Sequence, residues 1–167
     1  MGLTDTIGAY GRMVKFSHSI FALPFALAGA AFASIDHAIT PAQVGWVILA
    51  MICARNAAMG FNRLADQRFD AANPRTAQRE LPAGRISRRA TALFVAALSA
   101  GFVFAAGRLN PLCLALSPLA LLVILGYSYT KRFTWATQLF LGLSLAIAPV
   151  GGWLAVRGEF AVAPLVL

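Results

Sequence analysis

The chain has 167 residues, of which 59% are hydrophobic and 12% charged, against roughly half and a quarter in an ordinary soluble domain. That excess excludes a soluble globular fold, disorder and a collagen-like repeat, and only two cysteines exclude a disulfide scaffold. A net charge of +8 would suit nucleic acid in a soluble chain, but these cations lie between apolar runs, so they report membrane topology and no nucleic-acid partner is expected.

The predicted fold class is all-α, a multi-spanning transmembrane bundle. A helix crossing the roughly 30 Å hydrocarbon layer needs about 20 mostly apolar residues. Five stretches qualify: residues 16–35, 44–61, 90–106, 112–127 and 135–156. A further apolar run opens at Phe160 and stops at Leu167, too short to span. The chain is therefore expected to be the N-terminal part of a longer protein. The first stretch exceeds the roughly 7 to 15 residues of a signal-peptide core and is read as a span, not a cleaved leader. Thr40-Pro41-Ala42-Gln43 has the pattern of an N-cap, a proline at the first helical position and a capping-box glutamine. Asn110-Pro111 repeats the first two parts, and Ser87 can cap the third span.

Of the 14 Lys and Arg, all but Arg55, Arg108 and Arg157 fall on one side: Arg12 and Lys15, Arg63 through Arg89, and Lys131 with Arg132. The positive-inside rule then makes the protein a multi-pass component of the inner (cytoplasmic) membrane, with a cytoplasmic N-terminus. Cys53 and Cys113 fall within spans and are read as small apolar packing residues. His18 and His37 are read as interface residues, and Pro149 with Gly151 and Gly152 suggests a bend or a wide point in the last span.

The chemistry concentrates between Arg55 and Arg89. Asn62, Asp66 and Asp70 stand four residues apart, which on a helix places them on one stripe. Two carboxylates so placed repel one another, and a hard divalent cation relieves that repulsion; Mg²⁺ takes one or two carboxylates and keeps its other positions for water and phosphate oxygens. Pairing to Arg63, Arg68 or Arg75 at a solvated helix end is the simpler explanation of an isolated Asp-x3-Asp. The adjoining Arg75, Arg79, Arg85, Arg88 and Arg89 tip the balance, because arginine forks match phosphate oxygens, and a diphosphate fits the combination. Arg55, roughly 10 Å deeper on nearly the same face, is costly within a span and calls for an anion such as a substrate carboxylate. Tyr127 and Lys131, four apart, can present a hydroxyl and an ammonium toward the same mouth. For Tyr129 and Arg132 an interfacial belt and a topology signal suffice.

Asn62-Arg63-Leu64-Ala65-Asp66-Gln67-Arg68-Phe69-Asp70, followed by Asn73-Pro74-Arg75-Thr76-Ala77-Gln78-Arg79-Glu80-Leu81-Pro82-Ala83-Gly84, resembles the first aspartate-rich motif and following loop of the UbiA superfamily of intramembrane prenyltransferases. The resemblance extends to Lys15-Phe16, to Phe21-Ala22-Leu23-Pro24 and to Tyr127-Ser128-Tyr129-Thr130-Lys131-Arg132-Phe133-Thr134, and its flavour is 4-hydroxybenzoate polyprenyltransferase-like. It implies a nine-helix bundle around a lipid-open cavity, in which two aspartate-rich motifs hold Mg²⁺ against a polyprenyl diphosphate. By position it implies metal binding by Asn62, Asp66 and Asp70, diphosphate binding by Arg75, Arg79 and Lys131, a place near the carbocation for Tyr127, and Arg55 facing the carboxylate of an aromatic acid acceptor. The family's motif often begins Asn-Asp where Arg63 stands here, and its second motif would lie beyond this stretch. The 167 residues alone are therefore expected to be inactive.

The implied reaction is Mg²⁺-dependent transfer of a polyprenyl group to 4-hydroxybenzoate in ubiquinone or menaquinone biosynthesis, or alternatively to 1,4-dihydroxy-6-naphthoate or a related naphthoate. A phosphoalcohol transferase would show an Asp-rich pattern with Asp-Gly and Ala-Arg dipeptides inside one helix, and nothing here reads that way, since no Asp-Gly occurs. A small transporter or membrane scaffold would place its ionisable groups near mid-bilayer, often in related halves.

Overall fold

The computed structural model describes residues 3–14, 23–130 and 132–162, with side chains from Gly8 onward. Among the described residues six helices follow one another: α1 (Leu3–Met13), α2 (Leu23–Ala33), α3 (Pro41–Ala72), α4 (Arg88–Leu109), α5 (Pro111–Thr130) and α6 (Thr137–Arg157). Among the described residues there is no strand. Helices α3 to α6 are each long and apolar enough to cross a membrane, and the chain is a multi-pass membrane protein. Of the expected first span residues 23–35 are described, eleven of them in α2; Lys15 and residues 16–22, with Phe16 and His18, lie outside the described residues, as does the end of the run that opens at Phe160.

The caps form as expected. The Gln43 N–H donates to Thr40 Oγ1 at 3.2 Å while Gln43 Oε1 accepts from the Thr40 N–H at 2.9 Å, and the Ala90 N–H donates to Ser87 Oγ at 3.1 Å. Asn110 does two jobs: its Oδ1 caps α5 by accepting from the Cys113 N–H at 2.8 Å, and its Nδ2 donates to Leu154 O on α6 at 2.7 Å. Asn110→Ala should therefore lower stability by about 1–2 kcal/mol, beyond an ordinary cap loss at its upper end, read as a lower thermal unfolding midpoint in detergent.

Helix α3 has 32 residues, about 48 Å at 1.5 Å per residue, so it overshoots a roughly 30 Å apolar layer by several turns. The span expected to end at residue 61 thus continues to Ala72, because Leu64, Ala65, Gln67, Arg68, Ala71 and Ala72 are good helix formers. It stops at Asn73, extended at φ −104° and ψ 121°, because Pro74 disfavours a helical residue before it.

Residues 73–87 then fold back as an ordered cap. Gly84, at φ 71°, lets the chain reverse so that the Arg85 and Ile86 N–H groups both donate to Glu80 O at 2.9 and 3.2 Å. Leu81 and Ile86 bury themselves against Ala9, Met13 and Val14. Helix α1 and this connection were not anticipated as a packed unit.

The basic residues divide as the charge pattern predicts. Arg12 pairs with Glu80 and Arg132 reaches Asp66 at one end, while Arg157 meets His37 at 3.0 Å at the other. There Arg108 lies 5.6 Å from the Trp46 ring centre and Arg157 5.3 Å from that of Trp153. His37 thus has a cationic neighbour that the sequence did not suggest.

Around Pro149, Gly151 and Gly152, where a bend or a wide point is expected, α6 stays helical from Thr137 to Arg157; Gly151 and Gly152 line an apolar chamber, and Gly152 is also a place of close approach. A β-carbon on Gly152 would collide with Ala26 O on α2, and one on Gly29 with Pro149 O on α6. Backbones this near are the small-residue packing by which membrane helices associate.

Candidate active site

The stripe expected on α3 is present. Asp66 and Asp70 are each only 7% exposed, and Asn62 is half-buried one turn earlier. Burial of two carboxylates on one face is expensive unless cations answer them. Arg79 answers Asp70, with Nη1 2.8 Å from both Oδ1 and Oδ2. Arg132 answers Asp66, with Nη2 4.0 Å from Oδ1. Thr76 Oγ1 donates to Asp70 O at 2.9 Å, tying the connection to the end of the stripe.

Of the predicted diphosphate ligands, Arg79 is therefore at the stripe. Arg75 is exposed on the first turn of the connection, where its own N–H donates to Asn73 Oδ1 at 3.0 Å. Lys131 lies outside the described residues.

Two cations given no site role belong to this cluster. Arg132, read only as a topology signal, sits 4.8 Å from the Tyr129 ring centre and 5.2 Å from that of Phe69, and donates to Ala65 O. Tyr129 itself meets Phe61 edge-on at 5.7 Å. That reading is corrected: the α5–α6 connection folds over α3, and aromatic faces hold the guanidinium against the acidic stripe. Position alone could not reveal this, because a basic residue after a span looks the same whether it faces water or a neighbouring helix.

Arg63 is 7% exposed; its Nε donates to Met13 O at 3.3 Å, and Asp66, Asp70, Arg79 and Glu80 are its charged neighbours. A carbonyl in the last turn of α1 is an orphan acceptor at the negative end of the helix dipole, so Arg63 both satisfies and neutralises it. Its spacing, three before Asp66 and seven before Asp70, was the available signal.

Beyond the stripe toward the opposite end lies a cavity of about 460 Å³. Apolar side chains from α2 to α6 dominate its wall, which also carries Arg55 and Tyr127. Arg55 Nε is buried with no hydrogen-bond partner. Because Asp66 is eleven residues further along α3, the two are about 16 Å apart along the axis. The arrangement sets a buried, cation-edged acidic cluster toward one end of α3 and an apolar chamber, with Arg55 on its wall, further along the same helix. Such a site suits a long apolar molecule that ends in phosphate, with room for a small anionic partner.

Asn62, Asp66 and Asp70 offer only hard oxygen donors, the set Mg²⁺ prefers, and two carboxylates suffice where phosphates and water complete the shell. Among the described residues no third acidic, His or Cys ligand joins them.

Comparisons with known proteins agree. The chain is 35% identical over 157 residues to protoheme IX farnesyltransferase of Shewanella baltica (strain OS155 / ATCC BAA-1091), covering 91% of this chain and 51% of that protein. It is 34% identical over 116 residues to 4-hydroxybenzoate octaprenyltransferase of Vibrio parahaemolyticus serotype O3:K6, covering 69% and 40%. The chain thus spans about half the length, or less, of these curated relatives. Its fold matches the apo structure of a UbiA homologue from Aeropyrum pernix K1 with a TM-score of 0.82 at 37% identity, over 90% of this chain and 55% of that one. A UbiA homologue from Archaeoglobus fulgidus bound to GPP and Mg²⁺ shares the fold at a TM-score of 0.75 and 19% identity, over 93% and 56%. The UbiA prenyltransferase family matches residues 22–167, most of the chain, and with the acidic stripe, its arginines and the apolar chamber in place, the chain belongs to that family.

Proposed function

We propose that the protein transfers a polyprenyl group from a prenyl diphosphate to an aromatic hydroxy acid, 4-hydroxybenzoate first and a dihydroxynaphthoate as the alternative, at the cytoplasmic face of the inner membrane with its N-terminus cytoplasmic. The observation that carries the acceptor class is Arg55: a half-buried arginine whose Nε is buried and unpartnered, on a largely apolar wall, matches one carboxylate on a flat ring. Arg55 orients that carboxylate, and the apolar walls keep water from the reacting carbon. The C–O bond to diphosphate breaks, the ring carbon takes the allylic carbon, and a ring proton leaves. The Tyr127 ring stabilises positive charge on the allyl group. Arg75, Arg79 and Lys131 bind the departing diphosphate. Mg²⁺, when held by Asn62, Asp66 and Asp70, supplies neutralisation of the charge that grows on that leaving group.

A second reading has its own support, since the protoheme IX farnesyltransferase relative matches over more of the chain than the octaprenyltransferase does. The product of the complete gene, assayed in membranes with Mg²⁺ and a labelled prenyl diphosphate, should prenylate 4-hydroxybenzoate or the naphthoate and not protoheme IX. Arg55→Ala should raise the acceptor KM at least roughly tenfold and leave that of the prenyl diphosphate within about twofold. Equal effects on both would remove Arg55 from the acceptor site, and preference for protoheme IX would install the second reading.

A further inference from the structure

The Arg79 guanidinium engages both oxygens of the Asp70 carboxylate. Nη1 lies 2.8 Å from both carboxylate oxygens, and the two side chains are 33% and 10% exposed. The base from which Arg79 reaches is fixed. Glu80, the next residue, pairs with Arg12 of α1 at 3.5 Å; Leu81 and Ile86 are packed under α1; and Thr76 Oγ1 is bonded to Asp70 O. The backbone of the connection is held while a long, partly exposed side chain spans the gap, so that side chain can change partner without the loop moving.

We infer that Arg79 is a place-holder on Asp70. Without substrate it engages both oxygens of the carboxylate and competes with a metal ion for them; when a diphosphate arrives, its fork finds phosphate oxygens and Asp70 is released. This rests on the reading of Asp66 and Asp70 as a metal site and of Arg79 as a diphosphate ligand. The physical basis is that a metal ion entering alone must first break a charge-assisted contact in a buried place, one of the stronger contacts a side chain makes. A diphosphate offers the guanidinium an equal or better partner, so that cost vanishes. Metal and diphosphate then strengthen each other's binding by linkage through Arg79, in addition to any direct contact between them. The device also keeps a neutralised, closed mouth when no prenyl diphosphate is present.

The sign of the test is unusual, because removing a substrate-binding arginine should improve metal binding. The product of the complete gene in lipid nanodiscs is titrated with Mn²⁺, read by electron paramagnetic resonance, with no diphosphate added. Arg79→Gln should bind Mn²⁺ roughly tenfold more tightly than wild type. Arg79→Lys, which keeps the charge and loses the fork, should gain less and guards against a folding defect in the glutamine variant. Arg108→Gln, which removes a charge from an exposed position at the opposite end of the bundle, should change the affinity less than about twofold and controls for net charge. If Arg79→Gln binds Mn²⁺ no better than wild type while Asp70→Asn loses it, the place-holder role is overturned and the metal site stands. If Mn²⁺ binding is indifferent to Asp70→Asn, the metal reading itself fails and takes this inference with it.

Discussion

Asp66→Asn and Asp70→Asn should each reduce prenyl transfer at least roughly a hundredfold in the product of the complete gene while leaving membrane insertion intact. The magnitude is that of removing one preorganised charge-stabilising group, about 10²–10³ in turnover. The chain still folds because asparagine has the same shape, each site is at the basic end of α3 rather than in its apolar stretch, and the partner of Asp70, Arg79, can still donate to an amide oxygen. The two variants should differ in one respect. Asp70→Asn weakens the hold on the Arg79 side chain but, because α1 and Thr76 hold the backbone of the connection, should leave amide exchange over residues 73–86 unchanged; Asp66→Asn leaves the Arg79 contact alone. Assays in membranes with Mg²⁺ and a labelled prenyl diphosphate check the first claim. Normal turnover in either variant would refute the metal role of that carboxylate.

How much of this was legible in the sequence depends on whether the information was local. The caps at Thr40, Ser87 and Asn110 were readable because a cap is decided within four residues. The stripe of Asn62, Asp66 and Asp70 was readable because helical spacing is a local rule, and Arg55 because a charge inside an apolar run is conspicuous whatever surrounds it. The partners were not readable. Arg79 on Asp70 spans nine residues of turn, Arg132 on Asp66 comes from the other end of α5, and Arg63 reaches α1 fifty residues away. Each depends on how a connection folds back. A basic cluster at a cytoplasmic end carries the topology signal in any case, which masks the few members that also build a site. The contact made by Gly152 was hidden for the same reason. A glycine in a membrane helix can signal a bend, a void or a contact, and the contact here depends on Ala26 facing Gly152 and Gly29 facing Pro149.

That contact yields a large expected stability effect. Gly152→Ala or Gly29→Ala should destabilise the bundle by on the order of 3 kcal/mol, the upper range for overpacking. In both cases the obstructing atoms are backbone: Ala26 O and Ala30 N for Gly152, and the Pro149 carbonyl for Gly29. No rotamer change can relieve the clash, so α2 and α6 must separate. Ala26, Gly151 and Gly152 line the chamber that Arg55 overlooks, so the separation should also open that chamber and raise the KM for the acceptor. Gly151→Ala and Gly142→Ala meet open space and should change stability by less than about 0.5 kcal/mol, despite standing in the same helix. Thermal unfolding in detergent across the four variants checks the contrast. If the Gly151 and Gly152 variants lose equal stability, the approach of two backbones does not govern α6, since helix propensity alone would favour both alanines, and the α2–α6 contact is not what closes the chamber wall.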